Sequence, residues 1–320
     1  MAPVTVVIPT YRRPGPLADC VRSLVAGNSC PAEILVVGRE SDTVTREALS
    51  QIEQLCAGRT TLRVDWVAEP GHVPPVEKGA RVASSEIVAF VDDDVTVTPD
   101  WLEHLVAPFS DPTVGVAGGR VITPSSKQRR LRGKPGRTSW YGKHWGNVAS
   151  MESGQPIDVE SVMEGNSAWR RSLLMGVGFD PVLNFDDASM YGLDLCLGAR
   201  ARRFRVVYNP AALVYHHVAP RDPSLDRVDR PRRLFAYCRN YTYVMLKHLS
   251  WWRRCFFLTW WFLVGERGGW GFAVFMADWL RGDKPPTQEL AAALRGKLRG
   301  LRQWLMQKRG AGCSESFENA

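Results

Sequence analysis

Several absences narrow the field before any motif is read. The seven cysteines (Cys20, Cys30, Cys56, Cys196, Cys238, Cys255, Cys313) are widely spaced and include no C-x-x-C pair. That excludes a zinc ribbon or a dense disulfide framework and predicts a reducing compartment. Met1 to Ile8 holds no charged stretch ahead of a longer apolar core, so no secretory signal is expected. No Gly-Lys-Ser/Thr occurs, which removes a phosphate-binding P-loop, and Gly269-x-Gly271 has no strand before it. Long apolar runs are also missing: Cys255 to Gly265 counts 11 residues, and Glu266-Arg267-Gly268-Gly269 separates it from Trp270 to Leu280. Neither run reaches the ~18–20 residues of a spanning helix.

What is present fits a folded chain of 320 residues, 45% apolar and 23% charged, long enough for one large α/β domain with appendages or two modest domains. The net charge of +8 is concentrated. Arg281 to Arg309 holds eight basic residues against Asp283 and Glu289, and Lys127 to Arg137 holds six basic residues and no acid. Basic ends on a near-neutral body do not describe a nucleic-acid binder, and no nucleic-acid partner is expected.

Strand and helix patterns alternate over the first 125 residues. Val4–Ile8, Ile34–Val37 and Ile87–Val91 are short β-branched runs, and Leu62–Val67 alternates. Between them Leu17, Cys20, Val21, Leu24 and Val25 mark one face of a helix, as do Val44, Ala48, Leu49, Ile52, Leu55 and Cys56. Thr98 as N-cap with Pro99 at the first position opens a further helix over Trp101, Leu102, Leu105, Val106 and Phe109. Such order predicts a mostly parallel sheet covered on both faces, with the site beyond the carboxyl ends of its strands, after Ile8, Val37 and Val91. After Ile8 comes Pro9-Thr10-Tyr11-Arg12-Arg13-Pro14, no glycine fingerprint, so a dinucleotide reading fails. After Val91 comes Asp92-Asp93-Asp94. Adjacent carboxylates repel unless solvated or given a cation, and alternation lets Asp92 and Asp94 converge on one hard divalent ion.

These segments and later ones together resemble the family 2 nucleotide-sugar glycosyltransferases of the GT-A fold. The matching pieces are Val6–Arg13, Glu33–Val37, Ser85–Asp94, Pro99–Leu102, Gly165–Arg171, Gly178–Asp180, Asp194–Leu197 and Val206–Pro210 leading to Val214–His217. They occur in family order over roughly residues 3 to 220. The resemblance implies a Rossmann-like, mixed but mostly parallel sheet with helices on both faces over residues 1–222, with a donor half (1–125) and an acceptor half (150–222). A helical, aromatic and basic region (223–310) and a flexible tail (311–320) would follow. It also implies metal-dependent, inverting transfer from a nucleoside-diphosphate sugar (UDP favoured, GDP or dTDP as alternatives) to a hydroxyl of a glycan or lipid-linked acceptor. Pro9, Thr10, Tyr11, Arg12, Asp92 and Asp93 would bind the nucleotide, Asp94 and His216 would hold Mn2+ or Mg2+, and Glu164, Gly165 and Asn166 would lie near the donor or acceptor sugar.

The chain departs from the family pattern at Gly38, where an aspartate is usual, at Glu77 in place of an asparagine, and at Tyr191-Gly192, where a Glu-Asp pair carries the usual base. Asp186, Asp187, Asp194 and Glu164 are the carboxylates near that gap. Asp187 is the preferred catalytic base and Asp194 the second choice. Loss of the base leaves a competing reading, a degenerate sugar-nucleotide-binding or scaffold protein. Nucleotidyl transfer is a further alternative, but it lacks a basic glycine-rich loop after the first strand.

His216 and His217 end an apolar strand, so one of them points inward and the other away. Lys127 to Arg137, with Trp140, Tyr141 and Trp145 after it, reads either as a solvated loop or as a lid or acceptor surface. Arg230 to Leu249 reads as a helix. Beyond it, Trp251, Trp252, Trp260, Trp261 and Trp270 beside arginines, and the stripe Leu290, Leu294, Leu298, Leu301 and Leu305, suit a membrane headgroup boundary over residues 250–309. Packing on the catalytic domain, a homodimer surface and a true span are the alternatives. The expected location is cytoplasmic, with peripheral attachment to the inner face of the cell membrane if the aromatic region binds lipid.

Overall fold

The computed structural model describes residues 2–124, 134–146, 151, 153–186, 190–217, 230–266, 269–282 and 287–315. The chain divides into two compact units: 1–137 with 145–184 and 191–225, and 138–144 with 185–190 and 226–320.

In the first unit the strands are β1 (Val4–Pro9), β2 (Glu33–Arg39), β3 (Thr61–Val67), β4 (Ile87–Val91), β5 (Val95–Val97) and β6 (Val114–Ile122). Short strands β7 (Arg137–Thr138) and β8 (His144–Trp145) pair with each other, and the first unit continues with β9 (Ile157–Val159), β10 (Asn166–Arg170) and β11 (Arg205–His216). Its helices are α1 (Pro14–Val25), α2 (Thr43–Cys56), α3 (Val73–Val82), α4 (Trp101–Val106), α5 (Arg171–Val177) and α6 (Tyr191–Ala201). The main sheet runs β3-β2-β1-β4-β10-β6-β11-β5, with β9 also on β11. β1 through β4 pair in parallel, as do β6 and β11, while β10 is inserted antiparallel between β4 and β6.

Alternation along each strand sends side chains to opposite faces. Val4, Val6, Ile8, Ile34, Val36, Ala89 and Val91 pack under α1, α2 and α4. Val7, Leu35, Val37, Val88 and Phe90 pack under α3, α5 and α6. This two-sided cover is why the strands read as continuous apolar runs. Helix α4 begins at Trp101, with Asp100 in the cap position, so the expected start at Thr98–Pro99 is corrected. The Trp101 N–H donates to the Thr98 carbonyl (3.0 Å) and the Thr98 hydroxyl to the Leu213 carbonyl (3.3 Å), which ties Thr98 to the sheet instead of capping the helix.

The amino ends of β1, β2 and β4 carry a buried polar knot. Glu33 accepts from the Thr5 hydroxyl (2.7 Å), from the Ser84 N–H (3.1 Å) and hydroxyl (2.9 Å), and from Arg63 (2.8 Å). Burial alone would raise the Glu33 pKa, but these donors outweigh it and hold the pKa below the usual range.

The second unit contains α7 (Arg230–His248), α8 (Trp251–Leu263), the two-stranded ribbon β12 (Gly265–Glu266) and β13 (Gly269–Trp270), α9 (Phe272–Leu280) and α10 (Thr287–Glu315). Its helix packing overturns part of the sequence reading. Helix α10 meets α7 through small residues: a Cβ at Gly296 would stand 2.3 Å from the Phe235 carbonyl oxygen, and one at Gly300 2.3 Å from that of Arg239. Of the leucine stripe, Leu298 and Leu305 stay exposed, while Leu290 packs beside Leu234, Trp270 and Phe275. Lys297, counted above with the basic surface, is fully buried. Its ammonium donates to the carbonyls of Gly269 (3.0 Å) and Trp270 (2.8 Å) and to that of Trp261, and it lies 4.0 Å from the Trp261 ring centre. Desolvation lowers its pKa to about 8. Of the expected boundary tryptophans, Trp261 and Trp270 are core residues, whereas Trp251 and Trp252 are exposed. Among the described residues no helix is long and apolar enough to cross a membrane.

Candidate active site

The site forms where the carboxyl ends of β1, β2 and β4 meet β11. Strand β4 ends at Val91 and delivers Asp92, Asp93 and Asp94 as a turn into β5. β5 pairs antiparallel with the end of β11, with His216 opposite Val95. That register carries His216 Nε2 to 3.0 Å from Asp94 Oδ1, while the His217 N–H donates to the Asp94 carbonyl (2.8 Å) and its ring nitrogen meets the Thr96 hydroxyl (2.8 Å). One histidine therefore turns inward and the other away.

Ligating atoms of Asp92, Asp94 and His216 all lie within 4.8 Å of one another. Asp92 is pushed up to about 6, first by burial, then by Asp94, with His216 pulling the other way. His216 is raised through its hydrogen bond to Asp94. The same negative field and burial push the Cys20 thiol well up, its sulfur lying against the Asp92 carbonyl (3.6 Å). Crowded carboxylates with an imidazole form a hard donor set that suits a divalent cation.

Asp93 points elsewhere. It accepts from the Thr10 hydroxyl (2.8 Å) and from Arg13 (3.0 Å), and Arg13 also reaches Asp94 (3.1 Å). Burial raises its carboxyl, against the pull of Arg13. Asp93 thus locks the loop after β1 to the acidic turn. Pro9 ends β1, and the Thr10 N–H donates to the Val37 carbonyl (3.0 Å). Tyr11 lies under Arg39, 4.2 Å from its ring centre, with Arg12 at 5.4 Å. Arg12 sits at φ 54°, a left-handed conformation costly for a side-chain-bearing residue. Asp42 holds it there: one carboxylate oxygen accepts the Arg12 N–H (2.6 Å) and the Thr45 hydroxyl (2.6 Å), the other the Thr45 N–H (2.9 Å).

Glu164 and Gly165 approach from the turn before β10. A Cβ on Gly165 would stand 2.2 Å from Asp92 Oδ2, so only glycine lets the backbone pass this carboxylate. Burial raises the Glu164 pKa. Asn166 lies deeper in the sheet. It is fully buried, accepts from the Trp101 indole (2.9 Å), and donates to the Arg120 and Ala212 carbonyls (both 2.9 Å). Its amide knits β6, β10, β11 and α4 together. Asp194 is 2% exposed in the first turn of α6 beside Leu193, Leu195 and Cys196, and among the described residues it is not in the group that converges with Asp94. Asp187 lies outside the described residues, as does most of the basic stretch from Lys127. Gly38 is explained by packing: a Cβ there would stand 2.5 Å from the Trp66 ring, over which Arg46 lies at 3.9 Å.

Sequence reading missed Arg13, Asp42 and Arg39. Asp42 left a signal, an N-cap type three residues before Thr45 at the start of α2. The pairing of Arg13 with the acidic turn left none, since it spans 80 residues.

A family model described as Glycosyl transferase family 2 matches residues 5–173. The chain belongs to glycosyl transferase family 2. Among curated relatives, the O-antigen biosynthesis protein RfbC of Myxococcus xanthus is 27% identical over 230 residues, which is 67% of this chain and 17% of that protein. The chain spans less than a third of the length of the curated relatives it matches over most of its own length. Among solved structures, the mannosyltransferase PcManGT of Pyrobaculum calidifontis, in complex with GDP-Man and Mn2+, superposes with a TM-score of 0.59 at 16% identity, over 94% of this chain and 87% of that one. TarS of S. aureus (residues 1–349), in complex with UDP-GlcNAc, gives a TM-score of 0.59 at 15% identity over 91% and 79%. The fold is GT-A, as the sequence resemblance implied.

Proposed function

We propose that this family 2 member is a metal-dependent, inverting glycosyltransferase. It would move a sugar from a nucleoside-diphosphate sugar, a UDP-sugar ahead of a GDP- or dTDP-sugar, to a hydroxyl of a glycan or lipid-linked acceptor. The observation that carries this reading is the convergence of Asp92, Asp94 and His216 at the carboxyl end of β4. The complexes of PcManGT with GDP-Man and Mn2+ and of TarS with UDP-GlcNAc support it by analogy of fold.

In this reading Asp94 and His216 hold Mn2+ or Mg2+, with Asp92 on the same side. The bound ion supplies positive charge for the departing diphosphate. Tyr11 offers a flat ring, pinned by Arg39, against which a nucleotide base can stack. Arg13, already spanning Asp93 and Asp94, is placed to pair with phosphate oxygens without leaving the acidic turn. Thr10 and Asp93 keep the loop in register, and Asp42 holds Arg12 in its unusual conformation.

The deciding measurement is turnover of UDP- and GDP-sugars with and without Mn2+, in the wild type and in Asp94→Ala. Turnover that needs the ion and collapses in Asp94→Ala supports the reading. Turnover untouched by either change defeats it.

We further propose that the helical unit attaches to the cytoplasmic face of a membrane. Trp251, Trp252, Phe256, Leu263, Phe272, Trp279 and Leu280 are exposed there. Among its described side chains no carboxylate is exposed, whereas Arg230, Arg232, Arg233, Lys247, Arg281, Arg295, Arg299, Arg302 and Lys308 are. Exposed apolar rings beside exposed cations suit an anionic lipid surface. Flotation with anionic and with neutral vesicles tests it. Association with the anionic set is expected, and a chain that self-associates but floats with neither favours a homodimer face.

A further inference from the structure

The departure at Tyr191-Gly192 removes a carboxylate from the start of α6, and the structure shows what fills the space. A Cβ on Gly192 would stand 2.2 Å from Glu164 Cγ and 2.4 Å from both its Cδ and its Oε1. The side chain of Glu164 therefore lies where a residue 192 side chain would begin. Its Oε1 accepts the Gly192 N–H (3.2 Å), a first-turn donor that α6 cannot satisfy internally. On its other flank is Gly165, whose backbone runs against Asp92. One glycine thus separates the Glu164 carboxylate from the acidic turn, and another glycine makes room for it at the helix. Glu164 is partly exposed and borders a cavity of about 10 Å³, room for roughly one water, lined also by Val76, Phe90, Trp169, Phe179 and Tyr191.

We propose that Glu164 is the base that takes the proton of the attacking hydroxyl, and that Gly192 is the positioning residue that leaves it space. This rests on the glycosyl-transfer reading above. As the acceptor oxygen bonds to the anomeric carbon of the donor sugar, its proton passes to a Glu164 carboxylate oxygen. The bond from that carbon to the phosphate oxygen breaks, and its electron pair leaves with the nucleoside diphosphate. Water then takes the proton from Glu164. The apolar lining strips water from the carboxylate, which makes it a stronger proton acceptor than one in solvent. Asp194, in the first turn of α6, is 2% exposed and does not line this cavity.

The test uses the full chain with Mn2+, UDP-glucose, UDP-N-acetylglucosamine and GDP-mannose as donors, and water or p-nitrophenyl glycosides as acceptors. Glu164→Gln retains an acceptor for the Gly192 N–H, so donor affinity by calorimetry should stay within about threefold of wild type while kcat falls about a hundredfold or more. A merely structural role would lower affinity and kcat together. Glu164→Ala combined with Gly192→Asp returns a carboxylate to the same space from the helix side, and it should recover at least about tenfold in kcat over Glu164→Ala alone. Near wild-type kcat in Glu164→Gln, or no recovery in the double variant, overturns the assignment and leaves the glycosyl-transfer reading intact. A wild-type chain that turns over none of these donors overturns both.

Discussion

The two units bury polar groups for opposite ends and treat their apolar surfaces differently. In the sheet unit both faces are covered by helices, and among its described residues the exposed large apolar ones are scattered singly: Val44, Met163 and Tyr215. Its polar burial gathers carboxylates at one strand end, where the structure holds them with Arg13, Thr10 and His216. Among the described residues of the helical unit twelve large apolar side chains are exposed, among them Trp140, Trp251, Phe256, Phe272, Trp279 and Leu280. Its polar burial is consumed internally: Lys297 caps carbonyls of the β12–β13 ribbon, and Asp278 accepts from the Trp270 indole (3.2 Å). A closed apolar interior with a charged mouth is built for chemistry on a polar ligand. An open apolar surface is built to be covered.

Substitutions sharpen this contrast. The largest effect is expected at the acidic turn. Asp94→Ala should lower donor turnover by about a thousandfold, read as kcat with Mn2+. Trp252→Ser with Phe256→Ser should leave turnover in solution within about twofold, since exposed surface changes seldom disturb a distant fold. Equal losses in both would break the division of labour.

Next comes the amide that ties the sheet together. Asn166→Ala strands the buried Trp101 indole and two carbonyls, so chemical denaturation should show a loss of about 3 kcal/mol. A variant as stable as wild type would mean that the amide is free for a ligand after all.

On the helical unit, Trp252→Ser, Phe256→Ser and Leu263→Ser together should weaken binding to anionic vesicles by roughly ten- to a hundredfold with little change in melting temperature. Unchanged flotation would remove the lipid surface as the partner of this face.

The smallest effect concerns Glu33, at the sheet end remote from the acidic turn. Its folded pKa lies below its unfolded value. The stability it contributes is therefore fully present above the unfolded pKa of about 4.3 and lost as pH falls through the folded value. Stability should decline over that acid range, and Glu33→Gln should be less stable at neutral pH and lack this part of the decline. A pH profile identical in both proteins would show that the knot of Thr5, Ser84 and Arg63 does not favour the charged carboxylate.

Much of the sheet unit was legible beforehand because its signals are local. Val4–Ile8 and Ile87–Val91 read as buried strands because residues covered on both faces leave no polar alternation to misread. The acidic turn was legible because the strand before it had to end at the site. The role of Asn166 was not. It depends on the register shift of β11 between Asn209 and Leu213, which turns the Ala212 carbonyl toward an amide 46 residues away. Nor was the surface of the last third. Trp251 and Trp261 look alike in sequence, yet one is 76% exposed and the other 0%, because Trp261 packs against Tyr241 and Thr242 of α7 and Lys297 of α10.

The sequence by itself determined the order of strands and helices, the strand end that carries Asp92 to Asp94, and the family. Periodicity and turn chemistry act over a few residues and leave their mark in any stretch of chain. Only the tertiary structure decided which carboxylates share a site, that Arg13 and His216 flank Asp94 from segments 81 and 122 positions away, and that Glu164 fills the space Gly192 leaves open. Such contacts join groups distant in the chain, and close packing, which no local pattern encodes, determines whether they meet.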